Sequence, residues 1–153
     1  MTSQKFISAR FGELQFEEQD TIVFDGGLPG FPDCQTFLVL QHREGSPFRW
    51  LQSLDIAEIA FLVTDPANFV PDFAPPLRSE DAQGLCLNSE SPRLVYTIVT
   101  IPKGKPEEMT MNLAGPIIIN VETRKAKQVI LDDQAYSIKH RLEIKAKESS
   151  AAA

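Results

Sequence analysis

Histidine and cysteine are scarce, with two of each among 153 residues. His42 and His140 have no other histidine or cysteine close by in sequence, so no clustered donor set for a transition metal can be read. Each reads as a surface or strand-end histidine rather than a ligand or general base. Cys34 and Cys86 stand far apart without a C-x-x-C pattern, and read as free thiols, buried or partly buried. Long hydrophobic runs are missing too. Ile117–Ile119 and Ala60–Val63 are strand-sized, well short of the roughly 18 apolar residues that span a bilayer. Met1–Arg10 carries no continuous apolar segment of a signal peptide, and there is no Asn-x-Ser/Thr sequon. The expected location is the cytoplasm.

Phosphate-cradling motifs are absent as well. Gly104-Lys105 lacks the first glycine of a P-loop and is followed by Pro106, while Gly26, Gly27 and Gly30 do not form G-x-G-x-x-G. They read as turn glycines. No G-x-S-x-G occurs. The carboxylate pairs Glu17-Glu18, Glu80-Asp81, Glu107-Glu108 and Asp132-Asp133 fall mostly in predicted turns, and neighbouring strand residues point to opposite faces. These pairs read as solvated. Neither an enzymatic activity, nor a cofactor, nor a metal is expected.

Positive charge is in deficit: 15 Lys and Arg against 21 Asp and Glu, for a net charge of −6. Nucleic-acid binders need a basic face, so direct RNA or DNA binding is disfavoured. The deficit is uneven. Residues 1–90 hold five cations (Lys5, Arg10, Arg43, Arg49, Arg78) against fourteen carboxylates, a balance of −9. Residues 91–153 hold ten cations against seven carboxylates, a balance of +3. Such an acidic half is either a plain soluble surface or a landing site for a basic partner.

What is present is a period of two. Phe6–Phe11 and Leu14–Phe16, broken at Gly12, predict a first hairpin. Strands are predicted at Thr21–Phe24, Thr36–Gln41, Phe48–Ser53, Ile59–Thr64, Leu94–Ile101, Met109–Leu113, Ile117–Val121 and Gln128–Leu131, with Leu85–Leu87 a weak one. A basic turn, Thr123–Lys127, joins the last two strong ones. Asp55–Glu58 suggests one helical turn, and Ser79–Gln83 a short helix with Ser79 as N-cap. Asp65–Pro76, with four prolines, cannot be a central strand. The pattern predicts an all-β, antiparallel β-barrel-like single domain with little helix over residues 1–145, and a flexible tail over 146–153.

Several segments carry a family resemblance. They are Ile22-Val23-Phe24-Asp25-Gly26-Gly27-Leu28-Pro29-Gly30-Phe31, Ser46–Ser53, Ala60–Pro66, Asn112-Leu113-Ala114-Gly115-Pro116-Ile117-Ile118-Ile119-Asn120 and Lys127–Leu131, with Tyr136 beyond. In this order and spacing the chain resembles the FliW flagellar assembly factor family over roughly residues 5–140. Gly115 stands where alanine would be expected, and Ala126 where glycine is usual before Lys-Gln. The resemblance implies a cytoplasmic β-barrel-like protein without catalysis. It would bind the translational regulator CsrA, relieving repression of flagellin mRNA, and would also bind flagellin. Mutually exclusive binding of the two would couple flagellin level to its translation. CsrA would be engaged away from its RNA-binding surface.

Interfaces draw their energy from a few aromatic and partly buried polar groups. The candidate partner-binding residues are Phe31, after the Gly-Leu-Pro-Gly turn; Phe69, Asp72 and Phe73, in the proline-bounded segment; and Asn112. Each phenylalanine could equally plug the core under its loop, and Asn112 could bond its own turn. Of Phe48 and Trp50, at least one is expected in the core, and Asn120 and Gln128 read as structural. Two rival readings stay open. One is a small-molecule-binding or hydrolytic barrel with its site at a mouth lined by Trp50, which a filled apolar interior would count against. The other is RNA binding through Arg124, Lys125, Lys127, Lys139 and Arg141. A monomer is expected for the free protein.

Overall fold

The structure, a computed structural model, describes residues 3–41, 43–75, 77–131 and 136–142. His42, Asp132-Asp133 and the tail set apart at 146–153 lie outside them. Eleven strands run in chain order: β1 (Gln4–Ser8), β2 (Gly12–Phe16), β3 (Ile22–Phe24), β4 (Thr36–Leu40), β5 (Phe48–Ser53), β6 (Ala60–Thr64), β7 (Arg93–Thr100), β8 (Thr110–Met111), β9 (Ile117–Asn120), β10 (Lys125–Gln128) and β11 (His140–Arg141). One helix, α1 (Ser79–Gly84), and three short 3-10 turns complete the elements among the described residues.

β7-β6-β5-β4-β3-β10-β9 are paired in that order, and β9 pairs back onto β7, which closes a seven-stranded barrel. The expectation of a barrel-like all-β fold holds, with one refinement. Around a ring, strand direction reverses at each antiparallel pair, so seven strands cannot close by antiparallel pairs alone. The odd pair is β3–β10, which is parallel (Val23 beside Lys125, Phe24 beside Ala126).

Alternation along the strands sorts the side chains. Ile22 and Phe24, Phe37 and Val39, Leu51, Phe61 and Val63, Ile117 and Ile119 all belong to one cluster filling the interior. Cross-strand register stacks Val39, Leu51 and Phe61 in one row, and the Phe24 and Phe37 rings meet edge to face at 5.2 Å. The segment between β3 and β4 caps one end of the barrel, contributing buried Leu28 and Cys34 to the same cluster. That cap needs Gly27 in a left-handed conformation, φ +78°, because a Cβ there would lie 2.7 Å from the carbonyl oxygens of Phe31 and Pro32.

Three outer covers bury the opposite strand faces. The β1–β2 hairpin lies against β5. Ser8 Oγ donates to Gln52 Oε1 at 2.7 Å, Phe11 meets Trp50 edge to face at 5.7 Å, and the Arg10 guanidinium sits 4.4 Å over the indole. Trp50 therefore faces outward and lines no barrel mouth. On a second side, Val99, Met109, Met111, Leu113 and Leu142 form a buried cluster. On a third, Ile118, Val129 and Leu85 form another, beneath α1 and its approach.

Four local expectations are corrected. The first residue of α1 is Ser79; Arg78 is the N-cap and supplies no side-chain cap. Leu85–Leu87 is not a strand but the stop of α1. Cys86 takes a left-handed φ of 57°, and the amides of Cys86 and Leu87 donate to the carbonyls of Gln83 and Ala82, the bonding of a Schellman stop. The strand expected to start at Gln128 starts at Lys125, so the connecting turn is shorter and holds Arg124 at φ 63°. Asp55–Glu58 forms a turn rather than a helical one.

Candidate functional site

The proline-rich segment after β6 is a strap built from successive turns. Asp65 caps a 3-10 turn, Pro66–Asn68, by accepting from the Ala67 amide at 2.9 Å. The amides of Phe69 and Val70 then both donate to the Pro66 carbonyl, at 3.0 and 2.7 Å, and the Phe73 amide donates to the Val70 carbonyl at 3.0 Å. With the chain wound this tightly, Phe69 and Phe73 both turn toward the second outer cluster. The Phe69 ring lies 6.2 Å from that of Phe48, and the Phe73 ring meets Tyr136 edge to face at 5.3 Å. Both phenylalanines are half-buried. Asp72, between them, is exposed and makes no hydrogen bond or ion pair among the described residues.

The structure thus keeps Phe69, Asp72 and Phe73 on one strap, as two partly covered rings and one exposed carboxylate. Phe31 is set apart from them. It is 39% exposed and lies on the barrel-end cap, its ring 5.2 Å from Phe61. Asn112 is half-buried and its Oδ1 accepts from the Ala114 amide at 3.0 Å, so that oxygen serves its own turn. Phe48 and Tyr136, which complete the aromatic contacts of the strap, were not among the candidate residues. Tyr136 is distant in sequence and reaches Phe73 only through the tertiary fold.

Two expected structural amides hold the covers in place. Asn120, 2% exposed, donates from Nδ2 to the carbonyls of Leu85 and Cys86 at 2.8 and 3.2 Å, and accepts at Oδ1 from the amides of Glu122 and Thr123. Gln128 donates from Nε2 to the Gly115 carbonyl at 3.0 Å. A Cβ at Gly115 would lie 2.9 Å from the side-chain nitrogens of Asn112 and Gln128.

The reading of Glu80-Asp81 as a solvated pair fails at one member. Glu80 is exposed, but Asp81 is 2% exposed, on the inner face of α1. Its Oδ1 lies 2.5 Å from Lys127 Nζ on β10, and its Oδ2 lies 3.5 Å from Arg78 Nε. The spacing that placed Asp81 there, Arg78 one turn before it and buried Leu85 one turn after, was the available signal. The thiols divide as well: Cys34 is buried and free, whereas Cys86 is free and exposed rather than partly buried.

Within the barrel, Tyr96 is half-buried and belongs to the interior cluster's margin. Burial pushes its hydroxyl pKa above the usual 10.0; nearby Arg49 and Arg124 oppose the rise and Asp65 adds to it. The interior itself is filled with aliphatic and phenylalanine side chains. Such a core counts against the barrel-mouth reading, which needs a converging polar cavity.

Comparison with known proteins matches this chain to the FliW protein family model over residues 5–142. It is 45% identical over 124 residues to the flagellar assembly factor FliW of Magnetococcus marinus, spanning 81% of this chain and 76% of that protein. It is 44% identical over 131 residues to the flagellar assembly factor FliW of Caldanaerobacter subterraneus, spanning 85% and 87%. A crystal structure of the flagellar assembly factor FliW superposes with a TM-score of 0.84 at 32% identity, covering 92% of this chain and 98% of that one. On the family match, these identities and the shared barrel, the chain belongs to the FliW family of flagellar assembly factors.

Proposed function

We propose that the protein is a cytoplasmic, non-enzymatic flagellar assembly factor that binds and antagonises the translational regulator CsrA, relieving repression of flagellin mRNA. It also binds flagellin, and the two partners exclude one another, so flagellin level is coupled to flagellin translation. The family membership supports the biological role. The observation that carries the interaction reading is the strap: two half-buried phenylalanine rings flank a carboxylate with no partner among the described residues. Aromatic anchors beside an unpaired charge are what an interface core and its rim require. The −9 balance of residues 1–90 suits a basic, RNA-binding partner through long-range steering. The free protein is a monomer under this reading, and it needs no cofactor.

The test is calorimetric titration of the protein with CsrA, alone and with flagellin already bound. Binding that flagellin abolishes supports the partner switch; binding that flagellin leaves intact removes the competition and keeps the antagonist. Absence of binding to either protein refutes the proposal. Asp72→Lys locates the surface without disturbing the fold, because Asp72 is exposed and its carboxylate bonds nothing described. A loss of CsrA affinity of about tenfold or more is expected if the strap is the interface. Phe31→Ala tests the barrel-end cap as the alternative surface.

A further inference from the structure

The barrel-end cap and the turn between β5 and β6 are bonded into one surface. Asp55 Oδ2 accepts from the amides of Gln35 and Thr36 at 2.8 and 2.9 Å, and the Leu54 amide donates to the Thr36 carbonyl at 2.8 Å. Phe31 is pinned there from both sides. Its amide donates to the Leu28 carbonyl at 2.7 Å, and its carbonyl accepts from the Cys34 amide at 3.0 Å. The ring meets Phe61 edge to face, yet the residue stays 39% exposed. Ile56, Ile59 and Phe61 pack against the same interior cluster as the cap's Leu28 and Cys34, and all three are only half-buried. An aromatic side chain held rigid at the surface loses little freedom when a partner covers it.

Charge selects the partner. Residues 25–35 and 54–59 hold four carboxylates, Asp25, Asp33, Asp55 and Glu58, and no lysine or arginine. All four are exposed, and none forms an ion pair among the described residues. Arg10 follows Ala9, whose amide donates to the Ala57 carbonyl at 3.0 Å. Its guanidinium is engaged over the Trp50 indole instead, and pairs with none of the four. Like charges gathered without counter-ions leave a potential for a partner to neutralise, while the apolar residues between them supply area to bury.

We infer that this barrel end is a docking surface for a basic segment of a protein partner, which covers Phe31 with one apolar side chain and sets its cationic heads against Asp25, Asp33 and Glu58. The turn precedes β6 and the strap follows it, so the two surfaces leave opposite ends of that strand. The inference does not rest on the identity of the partners proposed above.

The test titrates two capped pentapeptides into the isotopically labelled full chain, a leucine flanked by lysines and the same leucine flanked by glutamates, with aromatic and methyl signals followed by NMR. The basic peptide is expected to shift Phe31, Phe61 and Ile56 and to bind about fivefold or more tightly than the acidic one, less so as salt is raised. The double variant Asp25→Lys, Asp33→Lys is expected to reverse that preference. Both side chains are exposed and bond nothing described, so the fold is kept. Phe31→Ala removes the seat of the apolar side chain and should weaken the basic peptide about fivefold while leaving the charge preference in place. Asp72→Lys should change its affinity by less than about twofold, which separates this surface from the strap. Equal affinity for both peptides, shifts that avoid Phe31 or persist unchanged in the lysine double variant, or no shifts at millimolar concentration overturn the inference. So do shifts that appear on concentrating the protein alone, which would assign the cap to a second copy of the chain. Neither peptide carries a sequence of CsrA or flagellin, so this result and the calorimetric one stand or fall separately.

Discussion

Replacing Lys127 by methionine isolates the ion pair that fastens α1 to the barrel. The variant keeps most of the aliphatic stem and removes the ammonium, leaving Asp81 with a side chain only 3% exposed and with Arg78 Nε at 3.5 Å as its remaining cation. At 2.5 Å the lost attraction is about 6–7 kcal/mol gross for an effective dielectric constant of about 20. Much of this is offset, because wild-type Asp81 already bears a desolvation cost and Lys127 is 51% exposed. The net loss falls between the ~0–1 kcal/mol of surface pairs and the ~3–5 kcal/mol of fully buried ones, at about 2–3 kcal/mol. Trp50 is the only tryptophan, so urea unfolding followed by its fluorescence reads stability directly. The double variant Asp81→Leu, Lys127→Met removes the stranded charge and is expected to recover to within about 1 kcal/mol of the parent. A single-variant loss under about 1 kcal/mol, or a double variant as unstable as the single one, refutes the latch.

Other consequences can be checked separately. Gly27→Ala is expected to cost about 3 kcal/mol, combining a left-handed alanine with a clash against backbone, whereas Gly26→Ala, at the same φ of 78° but with open space, costs only about 1; paired denaturant midpoints decide. Asn120→Ala strands the Leu85 and Cys86 carbonyls and two turn amides, and is expected to lose about 2–4 kcal/mol with early hydrogen exchange in α1. Tyr96 sets an alkaline limit. Its pKa is raised in the folded state, so above pH 10.0 the unfolded chain releases that proton first and binds fewer protons. The stabilisation is full below pH 10.0 and is lost as pH climbs through the raised folded value. Tyr96→Phe should flatten that decline in unfolding free energy, and an unchanged slope would count against the assignment.

Residues facing a filled interior were readable from sequence because alternation has a period of two and burial is one-sided. Ile22 and Phe24, on either side of exposed Val23, declare their inward face without any knowledge of their partners. The glycines of the barrel-end cap were equally legible, since only a chain without Cβ takes the turn at Gly27. β10 was not, because Lys125-Ala126-Lys127-Gln128 holds a single apolar residue and pairing with β3 and β9 fixes its register instead. Nor could sequence separate the candidate residues. Phe31, Phe69 and Phe73 look alike in loops, and only the packing of Phe69 on Phe48 and of Phe73 on Tyr136 shows that these two are half-covered while Phe31 stays exposed. The sequence by itself determined an all-β chain, an acidic first half and the family. Ring closure by one parallel pair, the burial of Asp81 and the contact of Phe73 with Tyr136 arise between segments remote in sequence. Local pattern holds no record of such contacts, so the tertiary structure alone decided them.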